Sequence, residues 1–282
     1  MKKNYEIIFL CLAKNVENTI RKLFEFHQKL NQQEIKSLVL IGENDSKDKT
    51  LNTIIEFSKI DNDIIYVDTS NINIYKNRIE RLTHGRNFLK NYLTTNNYKS
   101  KFVSIVDVDD VINCELNIEN FIRLLRHLEK NKSELFGISA KSKPFYYDML
   151  NLFIKDYYEK DVLKVQSNKN LYKSYYLRKK NIYRFQKKIT DIKKSIKAIS
   201  AHNGFCVYLY EDYISGDYLE DKNRNIEQII PEHIIINRSI HEKTNKFMLV
   251  SDNFFVKTPK EHMPYFSFSE FVKNKLLFFF SK

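Results

Sequence analysis

The sequence predicts an α/β fold, a mostly parallel sheet with helices on both faces and mixed strands towards the C-terminus. Short apolar runs suited to buried strands alternate with segments of helical period from Glu6 to Ser139. The 282 residues, 14% of them aromatic and 29% charged, suffice for a full hydrophobic core. Gly and Pro number only 5 and 4, so no flexible linker interrupts the series.

The elements follow in order. Glu6–Ala13 is an apolar run of the kind found in a central strand. Val16, Ile20, Leu23, Phe24 and Leu30 then recur at helical spacing. The runs SLVLI (37–41), DIIYV (63–67), FVSIV (102–106) and the segment 135–139 read as the next strands. Between them, Leu51, Ile54, Ile55 and Ile60, then Ile79, Leu82, Leu89 and Leu93, then Phe121 to Leu128 mark helices. Residues 155–197 are crowded with Lys, Arg and Tyr and read as a basic helical insertion. AISAHNGFCVYLY (198–210), EHIIINRSI (232–240) and KFMLVS (246–251) read as further strands. The expected organisation is one domain over 1–255, with 256–282 as a C-terminal tail.

The net charge of +12 favours anionic partners without choosing among nucleic acid, anionic lipid and phosphorylated small molecules. Cys11, Cys114 and Cys206 are scattered and odd in number, which fits a reduced cytoplasmic protein and no disulfide framework. The N-terminal apolar stretch is short and followed by Lys14 and Glu17, so it reads as a first strand and not as a leader. The tail FVKNKLLFFFSK is apolar and basic; a last helix packed on the core and a peripheral contact with the inner membrane face both fit it.

In such sheets ligands bind beyond the carboxyl ends of the strands. The loop after the fourth strand reads VDVDD. Asp107 and Asp109 alternate across Val108 and point the same way in extended geometry, with Asp110 adding a third carboxylate. Acids gathered at a buried strand end repel one another unless a cation compensates, and oxygen ligands suit Mn²⁺ or Mg²⁺. A polar turn or helix cap is the plainer alternative. The loop after the second strand, IGENDSKDKT, offers acceptors at Glu43, Asn44 and Asp45 suited to ribose hydroxyls or a base edge, while Ser46 or Asp48 fits a helix cap. No Gly-rich phosphate loop is present. In the third helix, Arg78, Arg81 and Arg86 lie near one another, and Arg86 suits a diphosphate, although a solvated face is the default for such residues.

ENDSKDKT, RLTHGRNFL and FVSIVDVDDV, in this order, resemble the consecutive signature of GT-A glycosyltransferases, whose fold is Rossmann-like. They resemble in particular the fungal capsule-associated mannosyltransferase group and its bacterial relatives. KPFYYDML, SAHNGFCVYLY and PEHIIIN are similar to later segments of that group, so the likeness spans most of residues 5–255. It implies a nucleotide diphosphate sugar as donor, Mn²⁺ or Mg²⁺ as cofactor, and a saccharide or lipid-linked acceptor, with no nucleic acid. It implies that Glu43, Asn44 and Asp45 contact the nucleotide, Arg86 faces the diphosphate, and Asp107 and Asp109 hold the metal. Asp148 would lie near sugar or acceptor, and Glu232 and His233 at the acceptor edge. Glu232 then suits the base that activates an acceptor hydroxyl, and His233 a further metal ligand. The chain departs from the group at Lys49, often Gly there, at Met149-Leu150, where Trp is usual, and at His202-Asn203-Gly204.

Two other functions stay open on sequence alone. A sugar nucleotidyltransferase normally carries a Gly-rich loop after its first strand, absent here. A non-catalytic polyanion or membrane binder would use the basic, Tyr-rich segment, either to guide an anionic ligand or to stack on RNA bases.

Overall fold

The computed structural model describes residues 4–158, 177–219 and 230–263, with 272 and 276. The first part of the predicted basic insertion and most of the tail lie outside the described residues.

Four parallel strands, β1 (Asn4–Ala13), β2 (Ser37–Glu43), β3 (Ile64–Asp68) and β4 (Lys99–Asp107), alternate with α1 (Ile20–Gln32), α2 (Thr50–Ile60) and α3 (Arg78–Thr95). Then follow α4 (Ile118–Lys130), β5 (Leu135–Lys143), α5 (Arg184–Asp191), β6 (Ile196–Ala198), β7 (Phe205–Leu209), α6 (Tyr210–Ser215), α7 (Glu232–Thr244) and β8 (Phe247–Lys257). The eight strands form one sheet in the order β3-β2-β1-β4-β7-β5-β8-β6. β7 lies antiparallel between β4 and β5, and β6 antiparallel beside β8; the other six strands run in one direction.

The pleat sorts side chains into two layers. Ile7, Phe9 and Cys11 of β1 face a core shared with Leu23 and Phe24 of α1, Ile54 of α2 and Phe121 and Leu125 of α4. Ile8 and Leu10 face the opposite core, with Leu89 and Leu93 of α3, Tyr213 of α6 and Ile236 and Ile240 of α7. Both faces of the sheet are therefore covered, as the near-continuous apolar runs require.

Residues 232–240 are a helix, not the strand their three consecutive isoleucines suggest. Pro231 caps the start in extended geometry, and Glu232 stands in the first turn. His241 and Lys243 occupy the last turn, and left-handed Asn245 (φ 57°) stops the helix. Ile236 and Ile240, four apart, supply the buried stripe. Among the described residues no helix is long and apolar enough to cross a membrane.

Candidate active site

β1 is flanked by β2 on one side and β4 on the other, so the chain winds outward to β3 and then reverses across β1. Such a reversal opens a crevice at the carboxyl ends of the strands, the usual ligand position in α/β sheets. A cleft of about 980 Å³ lies there. It is lined by Lys14–Val16 after β1, Asn44 after β2 and Asp107 to Asp109 after β4. The turn at Tyr147–Asn151, the stretch from Arg178 to Gln186, the start of α7 and His262 close its far side.

At its centre is a buried charge cluster. α3 directs Arg86 inward, where Nη2 donates to Asp107 Oδ1 at 2.7 Å and Nε to Glu232 Oε1 at 3.3 Å. His202 Nε2 lies 3.2 Å from the other oxygen of Asp107, and its Nδ1 lies 3.1 Å from Cys206 Sγ. Burial alone would raise the Asp107 pKa, but His202 and Arg86 outweigh it and hold the carboxyl well below the usual range. Burial would likewise lower that of His202, yet the Asp107 carboxylate pushes it up to about 10. His202 is thus an imidazolium in neutral solution. The compensating cations that the acidic strand end requires are, for Asp107, these two side chains.

His202 is therefore expected to titrate near pH 10 by ring NMR. Because its folded value lies above the unfolded one of about 6.5, its stabilisation is complete below that pH and is lost as pH rises through about 10. A ring titrating near 6.5 in the folded protein would contradict the pairing.

His233 stacks on His202 with ring centroids 3.5 Å apart and planes 15° apart. It is 1% exposed, and neither ring nitrogen has a hydrogen-bond partner. Burial, His202 and Arg86 together hold its pKa well below the ordinary value, so the ring is neutral. Glu232 Oε1, 3.7 Å from Nε2, is beyond hydrogen-bond reach.

The remaining sequence candidates divide. Asp109 is exposed at the cleft, and its Oδ1 caps Val111 N at 3.0 Å. Asp110 turns away to Lys257 Nζ at 2.8 Å. Asn44 lines the cleft with a buried side-chain carbonyl that has no partner. Glu43 instead accepts from Ser46 N at 2.7 Å, and Asp45, in left-handed geometry (φ 49°), accepts from Asn73; neither is on the cleft wall. Asp48 caps the next helix, accepting from Thr50 N at 3.0 Å. Asp148 lines the cleft but ties its own loop, accepting from Asn151 Nδ2 at 3.0 Å and Asn203 N at 3.1 Å. Arg86 lines the cleft too, although both neighbouring acids already engage it. Arg78 and Arg81, assigned to a solvated face by default, also line the cleft.

In the sequence His202 stands out only as part of a departure from the resembled group, and His262 not at all. His262 sits on the cleft wall in the turn Lys260–His262, its ring 5.1 Å from that of Tyr147. A His-Asn-Gly triplet before an apolar strand was the available signal for His202; its partner Asp107 is far away in sequence.

Gly204, with φ 76°, makes the turn that lets its carbonyl accept from Asp107 N at 2.8 Å. A Cβ there would lie 2.5 Å from the Tyr147 hydroxyl and 2.6 Å from Val111 Cγ1. Gly204→Ala is expected to cost about 2 kcal/mol or more in urea unfolding, from the left-handed backbone and the clash together.

No protein-family model matches the chain, and comparison with curated proteins finds no match. Solved structures do match. Mannosyl-3-phosphoglycerate synthase from Rubrobacter xylanophilus superposes with a TM-score of 0.50 at 10% identity, over 97% of this chain and 72% of that one. A mannosyltransferase from Pyrobaculum calidifontis, solved with GDP-Man and Mn²⁺, gives 0.50 at 9%, over 97% and 61%. The chain has the GT-A fold. The GT-A sheet seen here is the mixed, mostly parallel one whose first half carries the Rossmann-like crevice.

Proposed function

We propose that this GT-A chain is a metal-dependent glycosyltransferase moving a hexose from a nucleotide diphosphate sugar to a glycan or lipid-linked saccharide. The order of its motifs, which resembles that of the fungal capsule-associated mannosyltransferase group and its bacterial relatives, supports this reading. The observation that carries the reading is the exposed Asp109 carboxylate at the cleft beyond the strand reversal, with the unpartnered Asn44 carbonyl in the neighbouring loop.

Among the described residues no three His, Cys, Asp or Glu side chains gather in metal-ligand geometry. Ions of the Mg²⁺ and Mn²⁺ class are commonly held by one or two protein ligands plus substrate phosphates, and a carboxylate with an imidazole suits them. Asp109 and His262 fit that donor set. His233 does not, because Arg86 and the His202 imidazolium both oppose a dication beside it. When bound, the ion would neutralise charge developing on the departing diphosphate.

In this reading Asn44 receives a donor hydrogen from base or ribose. Arg78 and Arg81 face the diphosphate, since Arg86 is spent on Asp107 and Glu232. Glu232, steadied at one oxygen by Arg86, accepts the proton of the acceptor hydroxyl, and Asp148 shapes the sugar pocket. The neutral His233 hydrogen-bonds the substrate.

A panel of nucleotide sugars with Mn²⁺ tests this directly. The matching donor at one hundred times its Kd should stabilise the fold by about 2.7 kcal/mol, and chelation of the metal should cancel the gain. Absence of any thermal shift across UDP-, GDP- and dTDP-sugars would remove the proposal.

A further inference from the structure

Besides the His233 ring, three polar groups on the far wall of the cleft have no partner. Asn151 donates its amide nitrogen to both oxygens of Asp148 at 3.1 and 3.0 Å, which fixes its orientation and leaves Oδ1 unmatched. Gln186 directs Nε2 towards the carbonyls of Tyr147 and His262 at 3.4 and 3.5 Å, leaving Oε1 unmatched. Arg178 leaves Nε buried without an acceptor. Asn151 is 8% exposed and Gln186 2% exposed. Buried polar groups without partners are costly, about 1–3 kcal/mol each, so their concentration on one wall marks a surface completed by a ligand.

The helical stretch through the π-turn Lys179–Tyr183 into α5 brings them together. Arg178, Ile182 and Gln186, four residues apart, share the face turned to the cleft. Two oriented amide oxygens accept hydroxyl protons. A guanidinium takes a carboxylate or phosphate in its fork. The surrounding chain points the same way, since residues 177–197 contain nine Lys and Arg against one Asp. A one-signed stretch of this kind raises the local concentration of anions around it.

We propose that this wall is an acceptor subsite for a hydroxyl-rich molecule bearing one anionic group, either a uronate or a sugar phosphate. The proposal rests on the transferase reading for the word acceptor, but not for the binding itself. Asn151 and Gln186 hold hydroxyls, and Arg178 holds the anion.

Isothermal titration with glucuronate, glucose 6-phosphate and glucose, on the full chain, separates the possibilities. Wild type should bind at least one of the two anions ten-fold or more tighter than glucose, and the better one names the group. Arg178→Gln should erase that ratio while leaving glucose unchanged. Gln186→Met should weaken all three together, with an unaltered circular-dichroism melt excluding a folding defect. No preference for either anion in wild type, including no binding of any of the three, overturns the proposal, as does a preference that survives Arg178→Gln. Titration of GDP and UDP with Mn²⁺ into the same proteins reads the donor site separately. Its failure would sink the transferase reading and leave the anion wall standing on its own result.

Discussion

Asp109→Asn is expected to lower sugar transfer by about 10³-fold while leaving the unfolding midpoint close to wild type. The side chain has two tasks that this substitution separates. Its oxygen caps Val111 N at the end of β4, and asparagine can still accept that bond. Its negative charge at the cleft surface is lost, and with it, in the proposed reading, a ligand of the ion that would neutralise the leaving diphosphate. Asp109→Ala should add a capping loss of about 1 kcal/mol to the same catalytic defect. Mn²⁺-dependent stabilisation by nucleotide sugar should vanish in both. Full transfer by Asp109→Asn with metal still required would move the ligand elsewhere.

Arg86→Met is expected to cost about 3–5 kcal/mol of stability, the larger structural effect. The guanidinium is 4% exposed and joins the end of β4 to the start of α7. Without it, two partly or fully buried carboxylates lose their shared cation, and His202 alone balances Asp107. Arg86→Lys should recover little, because a point charge cannot serve both acids at once. The Asp107 pKa is depressed in the folded state, so its contribution is present above the unfolded value of about 3.9 and is lost as pH falls through the folded one. The deficit of Arg86→Met should therefore narrow on acidification below pH 4. Urea midpoints at pH 7 and near pH 2 measure this; equal stability of mutant and wild type at pH 7 would mean that the pairs contribute nothing.

The first half of the fold is legible because each of its signals is local. Apolar runs end at Ala13, Ile41, Val67 and Val106, and the helices between them carry their stripes at three- and four-residue spacing. The helix at 232–244 looks like a strand in sequence because Ile234–Ile236 carry strong strand propensity, although Pro231, Glu232, His241, Lys243 and Asn245 together mark the helix limits. What sequence could not supply is partnership across the chain. Arg86, Asp107, His202 and Glu232 converge from four separate elements, so a helix arginine expected to meet phosphate is instead consumed by two acids. Asn44 lines the cleft while its neighbours do not, because Glu43 accepts from Ser46 N and Asp45, in left-handed geometry, accepts from Asn73.

The antiparallel seat of β7 between β4 and β5 also governs assembly. A ribosome delivers β4 and β5 long before their common neighbour, and at about 5–20 residues per second the interval from Asp107 to Phe205 lasts several seconds. Throughout it the nascent polypeptide carries an unclosed apolar ledge along Phe102–Val106, able to recruit a strand from another chain. Late arrival of Phe205–Leu209 closes both edges in a single event, so damage to those five residues should surface as aggregation during synthesis.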